Sequence, residues 1–444
     1  MAKLKVAIDI SILGDRFDTV DPRHGIYNVT EEVLKEICKR QDIELTAIGL
    51  SGENALADSM KAFLYLESQT PQLSCSFRHT FRSNRSLTNL YTTVFRSMLP
   101  GGLDRWPRHS PRYVSLRIVR GLIHRMVYQY RVLNPRRVFD AKYFDVFHCP
   151  HLTLPLKELT GKVPRVITIY DLIPVVKPEF VTSGQVSLFK RSLARIDAAT
   201  DCVVCISEFT KREFCEYTSM SPDRCFVAPL AAGPSFRRIT DPEAIRNTRA
   251  RYGIPEGNYF LSLAAPQPRK NLAHLIRSFF RLLEERRLSD TYLVLAGSKE
   301  QGWMSEEVFA TAASSERFRS RLIFTGYVHD SDLPVLYSGA VAFLFPSLYE
   351  GFGLPVLEAM ACGTAVIASN TTSLPEVVGE AGLLIDPVDV NELCAAMDKL
   401  LMNCEERDRL GRLGIARSSQ FSWKRCADET AKAYHYAAGE KAKV

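Results

Sequence analysis

Short apolar runs alternate with amphipathic stretches along most of this chain, and that rhythm restricts the fold more than any other feature. Lys5–Ile10, Ile43–Leu50, Tyr143–His148, Arg165–Tyr170, Cys202–Ser207 and Arg224–Ala228 read as strands, and Gly25–Arg40, Gln185–Ala199 and Glu208–Tyr217 as helices. The turn-rich Pro229–Ser235 interrupts the pattern. It restarts with Tyr259–Ala264, the helix Asn271–Glu285, and the strands Thr291–Ala296, Leu322–Thr325, Ala340–Phe345, Ala365–Ala368 and Gly382–Ile385. Apolar strands spaced by helices make parallel sheets covered on both faces. The expected fold is therefore α/β, with two doubly wound Rossmann-like domains facing a central cleft. A length of 444 residues fits two such cores. The expected divisions are 1–232 for the first domain, 233–420 for the second, and a final helix in 421–444 packing back toward the first. In open parallel sheets ligands bind beyond the carboxyl ends of the strands, so the cleft is the expected site.

Charge and cysteine narrow the class. Between Arg78 and Lys142 stand thirteen Arg and one Lys against Asp104 and Asp140, a local +12 in a chain of net charge +7. This segment, roughly 68–142, breaks the strand–helix rhythm and reads as a basic insertion. Within it Tyr113–Leu133 has helical period, with Leu116, Val119, Leu122, Ile123, Met126, Val127, Tyr130 and Leu133 on one face and Arg117, Arg120, His124 and Arg131 on the other. No apolar run is long enough to span a membrane, and the start lacks a signal-peptide pattern. The expected location is the cytosol, free or against the inner membrane face. The pair Cys202-x-x-Cys205 lies inside a strand-like run, where the two side chains point to opposite faces, so it reads as buried core and not as a redox or zinc motif.

The stretch Pro346–Gly363 carries the chemistry. A buried strand ends at Pro346, a loop with Gly351 and Gly353 comes next, Pro355 suits a first helical turn, and Gly363 suits a helix stop. Free amides and the helix dipole at such a junction favour an anion, with a diphosphate as the natural guest. Glu358, one turn inside, can accept from a ribose diol, and Glu350 can reach a sugar.

Glu350 and Glu358 at this spacing resemble the paired-glutamate motif of retaining glycosyltransferases of family 4. Pro346-Ser-Leu-Tyr-Glu-Gly-Phe-Gly-Leu-Pro355, Phe324-Thr-Gly-Tyr-Val-His329, Ser373-Leu-Pro-Glu376 and Pro268-Arg-Lys-Asn271 carry the same resemblance, and Gly25 before its helix is a looser match. The resemblance implies the GT-B fold, a nucleotide-sugar donor, retention of anomeric configuration and no obligatory metal or other cofactor. It implies that Arg269 and Lys270 neutralise the diphosphate, that Glu358 binds ribose, and that Glu350 contacts the donor sugar. It places the amides of Gly351, Phe352, Gly353 and Leu354 on the phosphates, and Tyr327 and Val328 by the base. Two fixed cations stabilising a departing diphosphate make chemical sense in their own right. The chain departs from the family at Ala264, where many relatives carry an Arg, and at Tyr170, where many carry a His. Tyr170 is a poor base near neutral pH. Asp171 beside it is either an acid–base or orienting group, or a turn aspartate.

The Tyr170-Asp-Leu-Ile-Pro174 stretch resembles bacterial mannosyl- and fucosyltransferases that use GDP-sugars, so GDP-mannose is the expected donor, with UDP- and dTDP-sugars left open. The expected acceptor is a glycan or lipid-linked glycan of surface polysaccharide assembly. A sugar-nucleotide epimerase or a non-catalytic binding protein on the same fold is the alternative. Asp330-Ser-Asp332 has a metal-binding D-x-D form, but its place before Leu333–Tyr337 suits a helix N-cap, and no metal is assigned. The basic block has three binding readings, in order: an anionic membrane surface, an anionic acceptor, or non-specific nucleic acid; a solvated face on a core-packed helix stands level with the first.

Overall fold

The computed structural model describes residues 2–17, 25–49, 55–68, 73, 75–77, 110–115, 118–119, 122, 141–151, 154–155, 157–263, 267–297 and 306–439. Most of the basic block Arg78–Lys142, much of the expected helix Tyr113–Leu133, and Ala264 lie outside the described residues.

Two parallel sheets form the molecule. The first has the order β3-β2-β1-β4-β5-β6-β7, built from β1 (Leu4–Asp9), β2 (Ile43–Ile48), β3 (Ser76–Phe77), β4 (Val146–Cys149), β5 (Arg165–Ile169), β6 (Cys202–Cys205) and β7 (Cys225–Val227). The second has the order β10-β9-β8-β11-β12-β13, from β8 (Asn258–Leu263), β9 (Thr291–Ala296), β10 (Leu322–Gly326), β11 (Ala342–Phe345), β12 (Val366–Ser369) and β13 (Leu383–Ile385). Every pairing is parallel, and the order reverses between β1 and β4 and again between β8 and β11. Those two reversals open the crevices in which ligands sit in such sheets.

Burial on both sheet faces explains why the strands are so apolar. Cys202 and Val204 belong to the core on one face of the first sheet, Val203 and Cys205 to the core on the other, and all four are buried. The expectation of core cysteines at 202 and 205 holds, and none of the eleven cysteines is in a disulfide.

The helices that frame the site and its supports are α1 (Gly25–Cys38), α2 (Ala55–Ser68), α3 (Ser183–Leu193), α4 (Glu208–Thr218), α5 (Leu272–Arg286), α6 (Leu333–Gly339), α7 (Leu354–Ala361), α8 (Val390–Met402), α9 (Cys404–Ser418) and α10 (Trp423–Ala437). α3 begins before the expected Gln185 and ends before the expected Ala199. A capping box sets its start: Gln185 N–H donates to Thr182 Oγ1, and Gln185 Oε1 accepts from the Thr182 amide. α10 leaves the second domain and lies on α1 and on the β5–β7 side of the first sheet. Its Cys426, Ala427, Ala431 and Tyr434 are buried in the same core as β1 and β6. Tyr434 also meets the buried His148 of β4, whose Nδ1 lies 2.7 Å from the Tyr434 hydroxyl and whose Nε2 lies 3.0 Å from Thr168 Oγ1. Among the described residues no helix is long and apolar enough to cross a membrane.

Candidate active site

The site grows from the reversal between β8 and β11. After β11 the chain passes Pro346 into a loop, and α7 begins at Leu354 with Gly353 as its N-cap and Pro355 in the first turn. Gly353 has φ 114°, a conformation that strains any residue with a Cβ. Gly351 serves a different need. A Cβ there would stand 2.1 Å from the Tyr170 carbonyl oxygen, so only glycine lets the loop come this close to the end of β5.

Hydroxyl groups occupy the carbonyls of this loop. Ser369 Oγ donates to Ser347 O at 2.7 Å, and Ser373 Oγ reaches Glu350 O at 2.8 Å and Phe352 O at 2.9 Å. From the first domain, Ser207 Oγ and Thr210 Oγ1 reach Gly351 O at 2.7 and 3.1 Å. The Glu350 amide donates to Thr372 Oγ1 at 3.3 Å. The next amides are different: the N–H groups of Gly351, Phe352, Gly353 and Leu354 have no acceptor among the described residues. Unpartnered amides at a helix N-terminus form an anion cradle.

Glu350 is buried at 8% exposure and joins the two expected cations. Its Oε2 lies 2.6 Å from Arg269 Nη1 and its Oε1 2.7 Å from Lys270 Nζ. Burial alone would raise the Glu350 pKa, but Lys270 and Arg269 outweigh it and hold the carboxyl below its usual range. Lys270 is itself lowered, first by burial and then by Arg269, with Glu350 opposing. Its ammonium lies 4.3 Å from the Phe345 ring centroid. The turn Pro268–Lys270 aims both cations, and Asn271, at φ 58°, locks it by donating from Nδ2 to Pro346 O and Pro387 O at 3.2 and 2.7 Å.

Glu358 stands one turn into α7, where burial, reinforced by the Asp330 carboxylate and opposed by the Tyr337 hydroxyl, pushes its pKa up to about 8. That interaction brings the 327–330 turn beside α7. Tyr327 there is 44% exposed with its ring edge-on to His329 at 5.4 Å, while Val328 is buried.

Across the cleft, Asp171 meets the same cluster. Burial raises its pKa, Arg269 lowers it and Glu350 raises it. Its Oδ1 also accepts the Ile173 amide at 3.1 Å, so it closes a turn as well as facing the cations. Tyr170 is placed otherwise than a catalytic hydroxyl requires. Its hydroxyl donates to Pro150 O at 3.0 Å, its ring packs against the first-domain core, and burial drives its pKa further up. What Tyr170 presents to the loop is its backbone carbonyl. Gly25 opens α1 with open space around it, and the residues before it lie outside the described ones.

The D-x-D expectation needs correction. Asp332 does occupy the N-cap position of α6, but its side chain accepts no helix amide. Its Oδ2 instead accepts from Arg251 Nη1 at 2.6 Å and from the Tyr252 hydroxyl at 2.8 Å, two partners that outcompete a local amide. Sequence reasoning also gave no role to Ser207, Thr210, Glu213 or Thr372, and reached Tyr349, Ser373 and Glu376 only through the resemblance. Ser207 carried a legible signal: it caps α4 by accepting the Thr210 amide at 3.0 Å, as a Ser before an amphipathic run would. Glu376 accepts the two preceding amides of the same helix end from the other domain, Glu208 N at 3.0 Å and Phe209 N at 3.2 Å.

Two facing doubly wound sheets, with an anion cradle and paired cations at the reversal of the second, define a glycosyltransferase of the GT-B architecture. The profile of the family described as glycosyl transferases group 1 matches residues 244–417. The chain is 33% identical over 313 residues to O-antigen chain mannosyltransferase B of Escherichia coli, covering 70% of this chain and 80% of that one. It is 37% identical over 294 residues to the serotype-specific mannosyltransferase WbdA of Escherichia coli, covering 66% of this chain but only 36% of that longer protein. A crystal structure of a glycosyltransferase from Rickettsia africae superposes with TM-score 0.63 at 15% identity, over 99% of this chain and 100% of that one, a likeness of fold. The chain belongs to the group 1 glycosyltransferases.

Proposed function

We propose that this protein transfers mannose, with retention of configuration, from GDP-mannose to a glycan or lipid-linked acceptor in surface polysaccharide assembly. The carrying observation is the run of amides at 351–354 that have no acceptor among the described residues, beside Arg269 and Lys270. The amides and cations would hold the diphosphate, and Glu358 the ribose hydroxyls. A diphosphate competing for Arg269 and Lys270 would draw them from Glu350 and free its carboxylate for the sugar. Fixed charges of this kind stabilise a leaving group without reorganising. The bond from the sugar carbon to the diphosphate oxygen breaks, the acceptor oxygen forms the new bond on the same face, and its proton passes to Asp171 or to the departing phosphate. The two E. coli relatives are mannosyltransferases, which supports the sugar. The Tyr170–Pro174 resemblance supports GDP.

A thermal-shift panel of GDP, UDP, dTDP and ADP tests the reading. GDP should raise Tm most, because a ligand that binds only the folded state stabilises it by linkage. A larger shift with UDP would move the donor to a UDP-sugar, and no shift with any of the nucleotides would overturn the site.

We also propose that the basic block rests on an anionic membrane surface at the cytoplasmic face. Val114, Ile118, Val119 and Leu122, all within it, are 44, 57, 38 and 60% exposed. Apolar side chains among arginines suit an anionic interface. Vesicles containing anionic lipid should bind the protein more than neutral ones, and salt should weaken the binding. Equal partitioning to both would sink the idea.

A further inference from the structure

The first domain holds the donor loop with one face of α4. Ser207, the N-cap, and Thr210 and Glu213 succeed one another at three-residue spacing, so they line one side of the helix. Ser207 and Thr210 take the Gly351 carbonyl. Glu213 accepts the hydroxyl proton of Tyr349, and the Phe209 ring meets the Tyr349 ring edge-on at 5.6 Å. Tyr349 is 3% exposed and immediately precedes Glu350. Its carbonyl accepts from Arg269 Nη1 at 3.1 Å, the same nitrogen that pairs with Glu350. Tyr349 is therefore fixed at both ends, its hydroxyl to the first domain and its carbonyl to the cation beside Glu350.

Packing alone does not account for this arrangement. A phenylalanine would fill the same space beside Phe209. Glu213 is half-buried and has Asp171 as an electrostatic neighbour, a placement that disfavours a carboxylate unless something holds it there. The Tyr349 hydroxyl is what it receives in return.

We propose that Glu213 is a positioning residue for Glu350: through the Tyr349 hydroxyl it sets where the Glu350 carboxylate stands, so that docking of α4 on the loop completes the donor-sugar site. The proposal rests on the proposed contact of Glu350 with the donor sugar. The nucleotide half of the site, built from Glu358, Arg269, Lys270 and the amides of 351–354, is bonded neither to Glu213 nor to the Tyr349 hydroxyl, since Arg269 meets Tyr349 only at its carbonyl.

The test uses the full chain and its Glu213→Ala, Glu213→Gln, Tyr349→Phe and Glu213→Ala/Tyr349→Phe variants. Transfer, or slow hydrolysis of GDP-mannose if no acceptor is supplied, gives kcat, and calorimetry gives the Kd for GDP. Misplacing a reacting group costs rate steeply, so kcat should fall roughly tenfold to a hundredfold in Glu213→Ala and in Tyr349→Phe. The Kd for GDP should stay within about twofold, because the binding groups are untouched. Glu213→Gln, which keeps an acceptor oxygen, should recover most of kcat. The double variant should be no worse than the worse single, as for two residues in one link. An unchanged kcat in Glu213→Ala, or losses that multiply in the double variant, would overturn the proposal. If the unmodified protein binds neither GDP nor UDP, the reading of the nucleotide site fails separately. A crystal structure of Glu213→Ala then decides the positioning question alone: a Glu350 carboxylate unmoved between Arg269 and Lys270 would overturn it, and a displaced one would support it.

Discussion

Glu350 and Glu358 stand on one loop–helix unit, yet their surroundings drive them in opposite directions. Burial raises both, but the paired cations overcome it at Glu350 and nothing comparable does at Glu358. The first carboxylate is ionised throughout the neutral range, and the second is largely protonated below about pH 8. If Glu358 accepts from a ribose diol, it does so best when ionised, so nucleotide binding expels its proton. The affinity for GDP should therefore rise about tenfold between pH 7 and pH 9, as the competent fraction grows. Glu358→Gln cannot titrate, so its affinity should be lower at pH 9 and follow a flatter curve. Calorimetric titrations of both proteins across that range check this, and parallel curves would remove Glu358 from the nucleotide site.

At the scale of elements, the link from β4 to α10 governs acid stability. His148 is buried between Thr168 and Tyr434, and burial depresses its pKa from 6.5 to about 3. The unfolded chain takes up the proton below about pH 6.5, whereas the folded protein does not until about pH 3. The contribution is fully present above pH 6.5 and is lost as the pH falls, by about 1.4 kcal/mol per unit within that window. Between pH 7 and pH 5 this one group should cost about 2 kcal/mol. Denaturant unfolding of the protein and of His148→Asn at both pH values should show a smaller pH difference in the variant. Much at this scale was legible beforehand. Strands buried on both faces leave continuous apolar runs, and the glycine-punctuated stretch around Glu350 announced a strand, loop and helix in order. The misses share a cause, which is competition the local sequence does not display. Asp332 lost its capping role to Arg251 and Tyr252, and α3 took its start from the Thr182–Gln185 pair, not from the apolar period. The bonds from Ser207, Thr210 and Glu213 to the donor loop join positions more than 130 apart in the chain, so no window of sequence contains both ends.

For the whole molecule the controlling contact is that between domains. Glu376 places its carboxylate on the free amides at the start of α4, as a capping residue would, but from the opposite domain. Arg417 secures the Glu376 backbone by donating to its carbonyl at 2.6 Å. Glu376→Ala should cost about 1–2 kcal/mol of the docking between domains. Scanning calorimetry should show a lower or split transition in that variant and one cooperative transition in the unmodified protein. An unchanged single peak would mean that the domains are coupled elsewhere.

The return of α10 to the first sheet has a consequence for synthesis. The core of that domain draws on strands beginning at Leu4 and on a helix ending at Ala437. A ribosome therefore delivers a nearly complete second domain, whose last strand ends at Ile385, before it delivers the helix that finishes the first. The domain begun earliest is the last to close, and until then it exposes the apolar face that Cys426, Ala427, Ala431 and Tyr434 will cover.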